Sequence, residues 1–452
     1  MLTQKIKDKI AEIVKSNPNL VSVGLGQKVS GGQVTGESAI VCGVLQKKPI
    51  EDLSPEELLP SAVVVDSQTI KLDVVEQGQP VLFTTCSDCG GWSGPNSGQS
   101  TNRQYTRPLR GGVTMAATNK YPAVGTFGTI VKDTATGALL GLTNNHVSIE
   151  DASYTSSRQI GTINSVIEND YDPTNFIYQG TETTPGGPIS PSNQIGRSVR
   201  YSPSSTTLPN QIDAALFSIE SEGDIDTTIS YVPIGLDSIM SSNPPFASTS
   251  ELDAMDISNP DVYSSGRTSG ARGKGICGNL RVNQVGVSFN IAAIIQGVPQ
   301  LINYNNCVSV IRPDDDDSFS QQPGCFNPGL QGDSGSAVYI VGSDGITKLA
   351  GLLFAGTCVI GSMPVDQQSN PCCDGQVGVN SCSTIFYFCR IDEIASQLNI
   401  EWWDNANDPL ILVNPSTLEY ITESGTSSEK TKICSGRTYW QAGLTDTLNN
   451  PC

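Results

Sequence analysis

Between residues 112 and 392, short apolar runs return repeatedly, each closed off by glycine, asparagine, serine or aspartate. GTFGTIVKD, GALLGLTNN, QIDAALFSIE, GNLRVNQVGVSFNIA, GSAVYIVGSDG and TKLAGLLFAGT are examples. A run of a few β-branched and aliphatic residues between turn residues reads as a strand, because a helix needs a longer uninterrupted stretch. Many such strands in sequence bury their apolar faces only by curling or stacking as sheets, so the expected architecture is a β-barrel or sandwich. The composition agrees: 45 Gly and 27 Pro favour many turns and disfavour long helices. The fold class expected is therefore mainly β.

The flanks differ. Residues 1–80 open with a helix expected over 4–16, with Ile6, Ile10, Ile13 and Val14 on one face. NLVSVGLGQKVSGGQVTGESAIVCGVL then reads as a hairpin around Gly31-Gly32, PIEDLSPEELLPSA as a short helix, and VVVDSQTIKLDVVEQG as two more strands. The order α-β-β-α-β-β describes a small α+β domain. Residues 81–111 are dense in Gly, Ser, Thr and Asn without periodicity and read as a linker. Residues 112–400 form the β-rich domain, closing on a helix in RIDEIASQLNI, and 401–452 a polar C-terminal extension.

Charge excludes some partners. The formal net charge of −19 repels nucleic acid and anionic membranes, so neither is expected as a partner. No stretch is long and apolar enough to span a bilayer, and MLTQKIKDKIAEIV lacks the pattern of a secretory signal. The expected location is the cytoplasm, or outside by a signal-independent route. Against the cytoplasm stand 13 cysteines. They leave disulfides, free thiols and zinc all open; Cys86-x-x-Cys89 and Cys372-Cys373 with Cys382 are the thiolate candidates. Asp314–Asp317 reads as a solvated acidic loop rather than a calcium loop, since adjacent carboxylates lack the alternate spacing of one.

Three segments could carry chemistry. Gly332-Asp333-Ser334-Gly335-Ser336 sets a hydroxyl between glycines. A serine needs a base and an oxyanion hole, and glycines free the backbone to aim N–H groups at one point. Gly332 and Ser334 are the expected N–H donors. His146, in Leu142-Thr143-Asn144-Asn145-His146-Val147, is the only histidine of the chain and so the only imidazole base available. Asp213 sits among apolar residues in Gln211-Ile212-Asp213-Ala214-Ala215-Leu216-Phe217. A carboxylate there is costly unless paired, and its expected partner is the His146 Nδ1–H.

These segments, in this order, resemble the trypsin-like (chymotrypsin-fold) serine proteases, and among them the bacterial branch whose histidine segment reads Ser/Thr-Asn-Asn-His-Val. Gly266-Arg267-Thr268-Ser269-Gly270 and Gly351-Leu352-Leu353-Phe354-Ala355-Gly356 add to the likeness. The resemblance covers about 112–400 and implies a chymotrypsin-like double β-barrel preceded by the small α+β domain. It implies a serine endopeptidase with the triad His146, Asp213 and Ser334, acting through an acyl-enzyme on a protein or peptide substrate, with no cofactor and no metal. The strand at Phe354, Ala355 and Gly356 would border the specificity pocket and pair with substrate backbone. Pro328, at the position that often sets charge preference, offers no acidic group, so a small or apolar side chain is the expected preference. Where many relatives are activated by cleavage, a new N-terminal amine pairs with the aspartate before the serine; here Asp333 would pair internally or stay exposed. A catalytically silent scaffold with a binding role is the alternative function. Residues 1–80 would serve either as a module recruiting an unidentified protein partner or as an inhibitory prodomain followed by a cleavable linker.

Overall fold

The computed structural model describes residues 2–30, 33–82, 102, 105–117, 124–148, 176–179, 193–202, 209–240, 243–276, 279–295, 298–312, 329, 332–342, 344–358, 385–414 and 419–422. The first unit comprises helix α1 (Gln4–Ser16) and strands β1 (Leu20–Ser30), β2 (Gln33–Val44), β3 (Ala62–Val65), β4 (Gln68–Glu76) and β5 (Gln79–Leu82). Next come β6 (Thr114–Ala117), β7 (Gly125–Thr126), β8 (Thr129–Asp133), β9 (Leu139–Thr143), helix α2 (Asn145–Ser148), β10 (Phe176–Tyr178), β11 (Gln194–Tyr201) and β12 (Ala215–Ser218). Two short helices, α3 (Thr249–Asp253) and α4 (Met255–Ser258), lead into β13 (Asp261–Gly266), β14 (Gly270–Arg272), β15 (Arg281–Ile295), β16 (Val298–Ile311), β17 (Ala337–Val341), β18 (Thr347–Cys358) and β19 (Ile385–Arg390). Helix α5 (Ile391–Leu398), β20 (Ile400–Glu401), β21 (Ile411–Asn414) and β22 (Glu419–Thr422) complete the described chain.

Helix α1 forms where the 3.6-residue period places it. The Thr3 hydroxyl accepts the Ile6 N–H at 3.4 Å as an N-cap, and Ile6, Ile10, Ile13 and Val14 are buried. Burying four such side chains is worth on the order of 6–12 kcal/mol of gross transfer energy, before the entropy of ordering them. Residues 49–60 do not form the expected short helix: only a single 3-10 turn appears, at Ile50–Asp52. Pro49, Pro55 and Pro60 cut the segment into pieces too short to nucleate a helix, and each proline removes a donor.

Among the described residues the strands gather into two large sheets. The first runs β20-β8-β9-β12-β11-β10-β6-β7. The second runs β14-β13-β17-β18-β19-β16-β15-β1-β2-β4-β3, so the strands of the first unit extend it beyond β15. The junction is antiparallel, with Ser22 opposite Phe289 and Gly26 opposite Gln284. A single apolar core runs beneath it, from Ile10 on α1 through Val23 and Val287 to Leu353 and Phe388. A second core, around Phe127, Leu139 and Phe217, fills the first sheet and takes in Trp403, which is fully buried. Residues just beyond 400 therefore pack into the β-rich body. Within the first sheet, β8 and β11 are tied to each other and to α5 by a buried ion pair: Arg200 Nη2 lies 2.6 Å from Asp133 Oδ2, and Arg200 donates to the Leu398 carbonyl at the end of α5.

Candidate active site

His146 follows β9 on the four-residue helix α2, and Asp213 lies two residues before β12, the neighbour of β9 in the first sheet. Ala215 pairs with Thr143, which brings the two segments side by side. Asp213 is 1% exposed and spends both oxygens on one residue: Oδ2 lies 2.5 Å from His146 Nδ1, and Oδ1 accepts the His146 backbone N–H at 3.1 Å. The aspartate is fixed from behind. Its carbonyl accepts from Asn144 Nδ2 at 2.6 Å, and its N–H donates to Cys389 Sγ at 3.2 Å. A carboxylate bonded to Nδ1 keeps the proton there and leaves Nε2 as the basic nitrogen. Nε2 is buried and has no hydrogen-bond partner among the described residues.

Ser334 approaches from the second sheet, in the turn before β17. Thr126 on β7 donates its N–H to the Ser334 carbonyl at 2.8 Å, and its own carbonyl accepts the Thr143 hydroxyl at 2.8 Å. Gly125 is the point of closest approach. A Cβ there would meet Val147 side-chain carbons at 2.5 Å and the Ser334 carbonyl at 3.1 Å, so only glycine lets the histidine segment and the serine turn come together. The turn itself needs two left-handed residues, Gly332 at φ +91 and Gly335 at φ +93. The N–H groups of Gly335 and Ser336 are committed to Leu353 and Asp333 carbonyls, at 2.9 Å each. Ser334 is fully buried, and its hydroxyl donates to the Phe354 carbonyl at 3.3 Å.

Asp333 pairs internally. Buried at 1% exposure, its Oδ1 accepts the N–H groups of Thr268 and Ser269 at 2.8 and 2.9 Å. Gly266-Arg267-Thr268-Ser269-Gly270, the turn from β13 to β14, thus wraps the carboxylate and braces the serine turn. Burial pulls the nearby Arg272 guanidinium below its ordinary pKa, and the Asp333 charge opposes that shift.

The strand expected to bind substrate is β18. The Phe354 ring is fully buried, with its centroid 4.9 Å from that of Tyr304 and 5.9 Å from that of Phe289, so it meets the site through its backbone carbonyl. Ala355 and Gly356 are also buried, opposite β5. Pro328, Asp314–Asp317 and the cysteines at 86, 89, 372, 373 and 382 lie outside the described residues. Of the described cysteines with described side chains, Cys42, Cys307 and Cys389 are buried free thiols. Cys389 is the contributor that sequence reasoning missed: it lies 176 residues from Asp213 in the chain, and nothing local to it signals contact with a carboxylate segment. Burial and the neighbouring Cys307 push its thiol well above the ordinary range.

No protein-family model matches the chain, and no curated protein does. Among solved structures, one similar chain is a glutamic acid specific serine protease described as using a histidine triad in substrate binding. It shows 13% identity and a TM-score of 0.33, covering 65% of this chain and 100% of its own. A Nocardiopsis protease, NAPase, gives 13% and 0.31, and Thermobifida fusca protease A 13% and 0.30; each covers 65% of this chain and 97% of its own. Likenesses this faint assign no residue a role. The fold class is mainly β: two large sheets, antiparallel apart from the β2–β4 pair, with His146 and Asp213 beside the first and Ser334 in the turn before β17 of the second.

Proposed function

We propose that the chain is a serine endopeptidase. The observation that carries this reading is the state of the single histidine: Nδ1 and the backbone N–H are both bound by Asp213, while the buried Nε2 has no partner among the described residues. In this reading the Ser334 hydroxyl leaves the Phe354 carbonyl, a rotation that forfeits a hydrogen bond worth about 1 kcal/mol. It gives its proton to His146 Nε2 and attacks the scissile carbonyl. His146, held as imidazolium by Asp213, then passes the proton to the leaving amine, and water repeats the sequence on the acyl-enzyme. The N–H groups of Gly332 and Ser334 take the oxyanion. Asp213 and Asp333 are positioning groups, one for the base and one for the turn. Apolar or small side chains are the preferred substrates. The silent-scaffold alternative has one observation in its favour, the full burial of Ser334.

Fluorophosphonate labelling mapped to Ser334, together with peptide hydrolysis, separates the two. Both should vanish in Ser334→Ala and His146→Ala while the circular dichroism spectrum is unchanged. Hydrolysis that persists in Ser334→Ala would overturn the mechanism.

A further inference from the structure

Two buried sulfurs lie behind Asp213. Cys389, near the end of β19, accepts the Asp213 N–H at 3.2 Å. Strands β16 and β19 are antiparallel, with Val308 opposite Phe388 and Ser309 opposite Tyr387. One step further in the same register, Cys307 faces Cys389. Directly opposed residues send their side chains to one face of a sheet, and the two thiols are near enough to affect one another's ionisation.

The pair is clamped on both sides. Strand pairing holds it on one. On the other, Arg390 Nη1 donates to Asn306 Oδ1 at 3.2 Å, and the same guanidinium is paired with Asp253 and Asp392. The Cys307 thiol donates to the Asn305 carbonyl at 3.6 Å, and both cysteines are fully buried. Opposed residues of an antiparallel pair have Cα atoms about 4.5 or 5.5 Å apart, and a disulfide spans about 4.4–6.8 Å. The register thus brings the pair within bonding reach without movement of either strand.

We propose that Cys307 and Cys389 join as a disulfide when the chain folds in the presence of a small-molecule disulfide, and that the bond withdraws from Asp213 the sulfur that holds its N–H. One cysteine thiolate attacks the small disulfide, expelling one small thiol and leaving a mixed disulfide. The second cysteine attacks the protein sulfur of that bond, and a second small thiol leaves. The cysteine pair gives up two electrons and two protons, and the small disulfide takes up both. Burial sets when this happens. A thiol kept protonated is a poor nucleophile, and burial keeps Cys389 in that form. The folded chain therefore exchanges with neither oxidant nor reductant, and the state reached during folding persists. Closing the sulfurs to about 2.05 Å draws Cys389 Sγ toward β16. The buried Asp213 N–H then loses its acceptor, beside the carboxylate that orients His146. Cys389 is in this sense a positioning residue whose hold depends on its redox state.

The test uses the full chain made by cell-free translation, once with dithiothreitol and once with glutathione disulfide. Peptide mapping of the oxidised product, after iodoacetamide in urea, should recover Cys307 linked to Cys389. Dithiothreitol added to the folded protein should leave the link intact. Resting on the protease reading above, kcat of the oxidised product should be about tenfold lower, the effect of an orphaned buried N–H at the triad. Cys307→Ala cannot form the bond and leaves Cys389 on Asp213, so its kcat should be the same from both syntheses; the mapping carries the test if this variant does not fold. The single histidine supplies a readout independent of turnover. Its ring C–H proton resonances should differ between the two products and coincide in Cys307→Ala. Free thiols at both positions after oxidising synthesis, or no folded product, overturn the inference, as do linked cysteines with unchanged His146 resonances. Linkage with shifted resonances, in products that neither hydrolyse peptides nor take up a fluorophosphonate, supports the sulfur pair and removes the protease. Active products with both thiols free remove the pair alone.

Discussion

Replacing Asp213 by Asn tests the base at the atoms that define it. The aspartate uses one oxygen on the His146 backbone N–H and the other on Nδ1. An amide has one oxygen to offer. If that oxygen stays on the backbone N–H, the NH2 group faces Nδ1 and forces the proton to Nε2, where it blocks transfer from Ser334. The flipped amide restores the tautomer but sets its NH2 against a buried N–H, which costs about 1–3 kcal/mol. That alone removes roughly 5- to 150-fold of the competent population. The negative charge that would stabilise the imidazolium is lost in both orientations. Together these terms should lower kcat by about 10³- to 10⁴-fold, as expected for a triad deprived of its carboxylate. Because the side chain is isosteric, Tm should move by only a few degrees. The assay is hydrolysis of a peptide anilide with an apolar residue before the scissile bond, alongside fluorophosphonate labelling rates. A folded Asp213→Asn chain within tenfold of the wild-type kcat would refute the argument.

Other outcomes follow from the same structure. Arg200→Met strips the partner from Asp133, whose other oxygen keeps the Ala135 and Thr136 N–H groups and the Thr136 hydroxyl. Urea unfolding should register a loss of about 3 kcal/mol, with activity per folded molecule unchanged. Asp333→Ala orphans the N–H groups of Thr268 and Ser269, each at about 1–3 kcal/mol, and should cut kcat at least tenfold through the turn that carries Ser334. A full-strength Asp333→Ala enzyme would show that the turn holds itself. Iodoacetamide at pH 8 should leave Cys42, Cys307 and Cys389 unmodified in the native reduced chain and label all three in urea, as peptide mapping reads. All three are buried, and burial pushes the Cys42 thiol up to about 12. If the linker over residues 81–111 is a self-substrate, intact mass over days should lose the first unit by a cut between Leu82 and Leu109. A fully active chain that never shortens would rule that out.

Much of this arrangement was legible in the sequence because it is local. Strand existence followed from apolar runs between turn residues, and α1 from the spacing of Ile6, Ile10 and Ile13. The isolation of His146 and the glycines around Ser334 singled out both segments before any coordinates. What escaped is long-range. Nothing in NLVSVGLG says that β1 will pair with β15, because a strand edge carries no address beyond its alternation. Cys389 behind Asp213 and the turn at Gly266–Gly270 around Asp333 are contacts across 176 and 64 residues. The likeness of Gly351–Gly356 to a substrate strand was visible, but the pairing of β18 with β5 was not. The expected helix at residues 49–60 failed because its acidic residues suggested a first turn while its prolines allowed no second.

The way Asp333 is held has a consequence for alkaline conditions. An amino group in that role loses its proton near pH 8, and a turn that depends on it loosens with the charge. Here Oδ1 is held by two peptide N–H groups, which have no proton to lose in that range. That part of the bracing around Ser334 is therefore decoupled from hydroxide concentration. A turn braced in this way keeps these two contacts in alkali, where a brace built on an amine would let go.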